Sequence, residues 1–342
     1  MTTLTSLQKR STSPGLGAKQ AVLLVGLLLM LAAALASLMF GARSVPPEAV
    51  WQALSGHGET TDQAAVLTRI PRTLAALLVG AALAVSGLGM QAVTRNPLAE
   101  PGIFGVLAGA SLFVVVGIAF FDLSGTLTTM LVAICGSTTA ALFVYAVGSI
   151  GGATPLKLAL AGAATAAALS SMVSAVLLPR VEVMDVFRFW QIGSVGGTSW
   201  EQLRWAAPAV AVGMVLAAAT VMGMNLLALG DDLAAGLGAS VSAQRALIAA
   251  SAVILAGAAT SVAGPVAFVG LIVPHVLRLL MGIDHRWLLP ACALYGAALL
   301  ATADVVGRLV ARPEEVAVGV LLPLIGAPVF IWIVRRQRVR EL

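Results

Sequence analysis

The stretch Asn225-Leu-Leu-Ala-Leu-Gly230-Asp-Asp-Leu-Ala-Ala-Gly-Leu-Gly-Ala-Ser240-Val-Ser-Ala-Gln-Arg245 stands between two long apolar runs. It is too polar, and too broken by Gly230, Gly236 and Gly238, to cross a membrane; it is too regular to be a plain loop. Asp231 and Asp232 suit the first turn of a helix, where free N–H groups and the helix dipole favour negative charge. Leu233 and Leu237, four residues apart, fall on one face of that helix. Gly238 is a natural stop, because glycine takes left-handed backbone freely. Ser240 or Ser242 then caps whatever begins next. The pattern predicts two short helices joined at a glycine, projecting from a membrane and offering a leucine pair. On these residues alone two readings stay open: a knuckle that a partner pushes on, or a re-entry loop lying on the lipid surface.

The rest of the chain establishes the membrane. Hydrophobic residues make up 59% of the 342 and charged residues only 10%, with a mean hydropathy of +0.99. Soluble domains carry roughly a quarter charged residues, so this is an integral membrane protein. Few aromatics and 35 glycines favour closely packed helices over a β-barrel. Cys135 and Cys292 both lie in apolar runs and read as small packing residues, without a disulfide framework. The net charge of +5 belongs to bases that flank apolar runs, which points to a membrane surface and not to nucleic acid. After Lys9, Arg10 and Lys19, the apolar run Ala21 to Phe40 is longer than a signal-peptide core and reads as a retained span.

Hydropathy and punctuation predict an all-α, polytopic protein with ten spans near 20–41, 70–93, 103–121, 127–148, 157–178, 204–226, 245–264, 267–282, 287–307 and 315–334. One permease domain thus covers 20–336, between tails at 1–19 and 337–342. Ten crossings put both basic termini on one side, which is then cytoplasmic, as is the 225–245 stretch. Gly80-Ala-Ala82 with Gly87 resembles Gly257-Ala-Ala259 with Gly264, five spans further on and therefore reversed in direction. Inverted repeats of this sort occur in transporters.

Several constellations invite chemistry. Arg69 and Arg72, in Arg-Ile-Pro-Arg, stand at the outer mouth of the second span, with Pro71 in a first helical turn. Arg308 ends the ninth span on the same side, one turn after Asp304. Outer-side cations run against the usual charge bias. They either snorkel and pair locally, Asp304 with Arg308, or form a basic socket for a partner's carboxylates. Gln91 and Asn96-Pro97-Leu-Ala-Glu-Pro101-Gly102 form a tight turn that survives at membrane depth only when buried in protein or facing water; most of these residues read as structural. Gly270 and His275 lie in the eighth span, where Pro274 is expected to kink or shorten the helix. His275, without Cys or carboxylate companions, reads as a satisfied interior residue. Thr154 and Pro155, after Gly151-Gly152, form either a constriction or an ordinary turn. No phosphate-binding Gly-x-x-x-x-Gly-Lys-Ser/Thr occurs, and no catalytic, metal or cofactor signature is found.

Taken together, Arg69-Ile-Pro-Arg72, Gly80 to Gly87, Gln91 with Asn96 to Gly102, Phe268 to His275, Asp284-His-Arg286, Ala303-Asp304 to Arg308 and Ile325-Gly-Ala-Pro328 resemble the FecCD permease family. These are membrane subunits of type II ABC importers for ferric siderophores, haem and cobalamin, and the similarity runs from about residue 40 to 336. The resemblance implies an inverted-repeat type II permease fold in a bacterial inner membrane. It implies a second permease subunit (a paralogue, or an identical copy), two ATP-binding subunits that use ATP and Mg, and an extracytoplasmic substrate-binding protein. This chain would bind no cofactor itself, and its remaining contacts would be with lipid. By the same resemblance Leu229, Gly230, Asp231, Asp232, Leu233, Leu237 and Gly238, within coupling helices at about 229–243, would dock on the ATPase. Arg69, Arg72 and Arg308 would receive glutamates of the binding protein, and Thr154 and Pro155 would mark the inner gate. Arg188-Phe-Trp-Gln191, Asp284-His-Arg-Trp287 and Val334-Arg-Arg336 look like ferric enterobactin-type permeases, so a ferric siderophore is the expected cargo, ahead of haem and cobalamin. The rival of another class is an ion-gradient-driven secondary transporter.

Overall fold

The computed structural model describes residues 15–338 except 42, 57, 59, 153 and 239. The tail calls at 1–14, with Lys9 and Arg10, and at 339–342, with Arg340, lie outside the described residues. In chain order the helices are α1 (Leu16–Met39), α2 (Pro47–Leu54), α3 (Thr61–Thr94), α4 (Val106–Phe121), α5 (Thr126–Gly148), α6 (Pro155–Leu177) and α7 (Val181–Gln191). There follow α8 (Trp200–Ala219), α9 (Val221–Ala228), α10 (Asp231–Gly236), α11 (Val241–Ala263), α12 (Val269–Met281), α13 (His285–Val310) and α14 (Val318–Arg338). No strand occurs among the described residues. Seven of the helices are long and apolar enough to cross a membrane. Three shorter apolar helices, α4, α12 and α14, stand where the other three spans were predicted.

The two faces of the bundle follow from chain direction. α3 starts at the upper face, where α1 and α13 end, and it ends at the lower face beside α10 and the start of α13. α3 and α11, the two most enclosed spans, run antiparallel through the centre. Gly80 of α3 meets α13, and Gly257 of α11 meets α5, so the Gly-Ala-Ala likeness marks equivalent positions in two oppositely directed halves. At the α3–α13 crossing a methyl group on Gly80 would overlap the Gly296 carbonyl, and one on Gly296 would overlap the Gly80 carbonyl. The two backbones therefore touch, the close approach that small residues provide where water supplies no driving force between helices.

α3 starts nine residues before the predicted span. Thr60 and Gln63 form a capping box, each side chain bonded to the other's backbone N–H at 3.3 and 3.0 Å, which fixes the first turn well outside the apolar run. Its 34 residues reach about 51 Å, more than the ~30 Å of hydrocarbon. Pro71 consequently lies inside α3, and not in a first turn as its sequence suggests.

α12 departs from expectation in a second way. Its 13 residues cover only about 20 Å, too little to cross alone. The break is upstream of Pro274, at Gly264–Phe268, where Phe268 has φ +72°; the helix then continues through the proline. Pro274 cannot donate to the Gly270 carbonyl one turn earlier, and Gln91 of α3 fills that vacancy, its Nε2 lying 3.1 Å from Gly270 O. In the non-helical segment before α12 Gly264 and Val266 are buried in protein while Pro265 borders an open cleft, and Ser194 N–H donates to Ala263 O beside it at 2.8 Å, the two conditions under which irregular backbone persists at this depth.

Candidate docking rim and coupling helix

The upper rim is built where three helices end. The Arg72 Nε lies 3.1 Å from both Asp304 oxygens and its Nη2 2.8 Å from Asp304 Oδ1. Arg308 Nη2 approaches Asp304 Oδ2 at 2.8 Å. The local Asp304–Arg308 pair is thus real, and it is half of a larger cluster. Arg308 also donates to the Ser37 and Phe40 carbonyls at 3.0 and 2.8 Å and to Ser37 Oγ at 2.8 Å. Arg69 donates to the Leu38 and Met39 carbonyls at 2.9 and 3.1 Å and to Arg43 O at 2.6 Å. Two arginines therefore satisfy the orphan carbonyls at the end of α1, where a cation also complements the helix dipole.

This geometry redistributes the three arginines of the expected socket. Arg308 is only 2% exposed and its donors are engaged, so in this conformation it holds the rim together and presents nothing to an incoming carboxylate. Arg72 is the member with an outward edge: its Nη1 pairs with Glu315 Oε2 at 2.8 Å. Sequence reasoning placed these residues on one side but gave no sign that Asp304 and Glu315 share Arg72.

At the lower face, Gly230 (φ +108°) turns the chain between α9 and α10, and Gly238 (φ +84°) ends the excursion. Only the first of the two expected short helices forms, as α10; the second, expected after Gly238, is the opening of the long span α11, because the helix that starts at Val241 continues without a break into the apolar run. Ser240 occupies the α11 N-cap without a side-chain bond. Asp231 and Asp232 do lie in the first turn of α10, but neither caps it. Asp231 instead pairs with Arg95 at the end of α3, while Arg245 of α11 donates to both its oxygens at 2.9 Å. One carboxylate so braces α10 to the two central helices. Ala234 faces inward, whereas Leu229, Leu233 and Leu237 stand 52%, 62% and 66% exposed. Leu233 and Leu237, four residues apart on α10 and at its end, form an apolar pair outside the membrane spans, and Leu229 precedes them across the Gly230 turn.

Asn225, quoted in the sequence but given no role there, ties α9 to the start of α13. Its Nδ2 donates to Asp284 Oδ1 at 3.0 Å and its Oδ1 accepts from His285 N at 2.9 Å. Burial works to raise the Asp284 pKa, yet the Arg286 N–H and Asn225 amide bonds outweigh it and hold the carboxyl below its usual range. Asp284-His-Arg286 is therefore the polar lower turn that its composition suggested.

Between the faces, the proline turn climbs back into the bundle. Asn96 Oδ1 accepts Leu98 N–H at 2.9 Å, the local turn bond this residue favours. Pro97 follows within that turn, and Pro101 opens a short 3-10 turn that rests on Gly270. Glu100 Oε2 accepts Phe268 N–H at 3.4 Å, joining the two re-entrant loops at the dipole-positive start of α12. Arg278 Nη1 donates to Gln91 Oε1 at 2.5 Å. His275 is buried and lies edge-on to Phe330, ring centroids 5.6 Å apart, as an interior residue. Thr154 is the α6 N-cap, accepting Lys157 N–H at 3.3 Å, with Pro155 at the first position. Glu100, Ser111, Ser170, Gln191, Pro265 and Gly319 line an open cleft of ≈ 550 Å³ beside α6. Among the described residues no His, Cys, Asp and Glu cluster suits a metal ion.

The family model of the FecCD transport family matches residues 28–336. The iron(3+)-hydroxamate import system permease protein FhuB of Bacillus subtilis is 42% identical over 93% of this chain and 83% of its own. The ferric enterobactin transport system permease protein FepD of Escherichia coli is 42% identical over 93% and 96%. The hemin transport system permease protein HmuU of Yersinia pestis is 36% identical over 94% and 98%. A metal-chelate type ABC transporter solved in an inward-facing conformation superposes with TM-score 0.81 at 29% identity, over 93% of this chain and 99% of that one. With its glycine-stapled bundle, braced lower helix and arginine-clamped rim, the chain belongs to the FecCD transport family.

Proposed function

We propose that the protein is the permease subunit of an ABC importer that carries a ferric siderophore across the bacterial inner membrane. The observation that carries this reading is the exposed pair Leu233 and Leu237 on the short helix braced by Asp231, with Leu229 exposed just before it. Exposed leucines outside the spans cost free energy unless a partner covers them, and the brace gives a push on α10 something rigid to act on. In the working cycle, ATP and Mg are used by two partner ATPases that grip these leucines. A second permease subunit, a paralogue by the enterobactin-type motifs, completes the membrane part. A substrate-binding protein delivers the cargo to the upper rim through Arg72, with Arg69 and Arg308 holding the rim in shape. α1 begins and α14 ends at the lower face, which with the basic termini is then cytoplasmic. The chain itself hydrolyses nothing. Relatives at 42% identity are named for hydroxamate and for enterobactin, which supports a siderophore over haem.

The test is uptake of ⁵⁵Fe-siderophore into proteoliposomes holding both permease subunits. Accumulation is expected only with the ATPase, ATP and the loaded binding protein. Accumulation under a proton gradient, without ATP or ATPase, would overturn the reading in favour of a secondary transporter.

A further inference from the structure

The two acids on Arg72 are not equivalent. Asp304 sits in the protein at 2% exposure, shares its oxygens between Arg72 and Arg308, and takes the Nε/Nη2 edge of the Arg72 guanidinium. Glu315 lies on the non-helical turn between α13 and α14, its side chain 40% exposed, and takes only Nη1, at 2.8 Å. On the other side of that Nη1 edge stands a glycine turn, close enough that a Cβ on Gly196 would touch Arg72 Nη1 at 3.7 Å. The place a carboxylate from outside can take on this nitrogen is therefore the one Glu315 now fills.

We propose that Glu315 is an internal stand-in for the binding protein's acidic residue, occupying the outward edge of Arg72 in the undocked permease and leaving it on docking. This rests on the rim being the docking surface. Asp304 stays, because removing it would leave a guanidinium buried without its counter-charge. Glu315 leaves readily, because an exposed ion pair is weak and its freed carboxylate is rehydrated. The exchange makes the rim self-neutralised while idle. It also makes docking a competition whose cost Glu315 sets.

The sign of one substitution tests this. The permease, assembled with its ATPase in lipid nanodiscs, is titrated with the unloaded cognate binding protein by surface plasmon resonance at physiological salt. Glu315→Gln removes the competitor and is expected to tighten binding about two- to fivefold, the most an exposed ion pair is worth. Glu314→Gln removes the same charge from the exposed neighbouring position, whose carboxylate pairs with no cation among the described residues, and is expected to change affinity by less. Equal or weaker binding by Glu315→Gln, or an equal gain from Glu314→Gln, overturns the proposal. Arg72→Gln, checked for monodispersity, separates the two levels. If it weakens docking while Glu315→Gln is silent, only the competition is wrong; if it too is silent, the rim is not the docking surface.

Discussion

Asp304→Asn is the perturbation that weighs the upper rim. The substitution keeps volume and removes one charge from a site 2% exposed. In its place two guanidiniums, Arg72 and Arg308, lose the carboxylate that each reaches at 2.8 Å, and they then repel one another. Arg308 cannot rehydrate, since it too is 2% exposed; the α1 carbonyls still accept from it but supply no net charge. Breaking a buried pair by removing one partner typically costs about 3–5 kcal/mol. That is a large share of the ~5–15 kcal/mol by which folded proteins exceed their unfolded states. The assay is denaturation in mixed micelles, read by alkylation of Cys292, which is 0% exposed, in a Cys135→Ser background that removes the exposed thiol. Alkylation is expected at a markedly lower denaturant fraction in Asp304→Asn. A double-mutant cycle with Arg72→Gln should recover part of the loss, because the second substitution removes one of the two stranded charges. A loss under about 1 kcal/mol is the range of an exposed ion pair. It would refute the claim that the cluster is desolvated, and with it the argument that Asp304 is irreplaceable on docking.

Two further outcomes follow from the same geometry. Leu233→Asp with Leu237→Asp touches only exposed side chains, so the permease should fold normally while ATP hydrolysis in the complex no longer drives siderophore uptake; intact coupling, measured as iron imported per phosphate released, would remove α10 from the drive train. Gln91→Leu strands the Gly270 carbonyl that Pro274 leaves free and also removes the Arg278 acceptor; it should cost about 1–3 kcal/mol in the Cys292 alkylation assay, and a neutral result would mean that water reaches the carbonyl.

Local patterns carried much of this architecture. Runs of apolar residues located the seven long spans and the three shorter apolar helices, because lipid demands length and hydropathy that no other context requires. Gly238 as a stop and Asn96 as a turn former were legible because both act within a few residues of themselves. What stayed hidden is long-range. The start of α3 lies at a capping box outside the apolar run, so hydropathy alone placed it too late. The break in α12 was sought at Pro274, whereas Gln91 rescues that carbonyl from 179 residues away. Arg95 and Arg245 meet on Asp231 only because α3 and α11 are neighbours, and nothing in the spacing of the three residues announces it. Arg308 looked like a rim residue since its sequence position is at a helix end; only the packing of α1 against α13 shows it enclosed.

The polar side chains buried in the bundle are used to hold its helices together. Ser37 bonds Thr73 at 2.8 Å, Ser86 bonds the Ala252 carbonyl at 2.5 Å, Ser137 bonds the Val106 carbonyl at 3.1 Å, and Gln91 holds α12. Each joins two helices, and a group so used has little left for a cargo. Such bonds are worth only about 0.6 to 2 kcal/mol apiece in a bilayer, but breaking one leaves a polar atom facing hydrocarbon or protein interior. The interior is thereby fixed by its own hydrogen bonds.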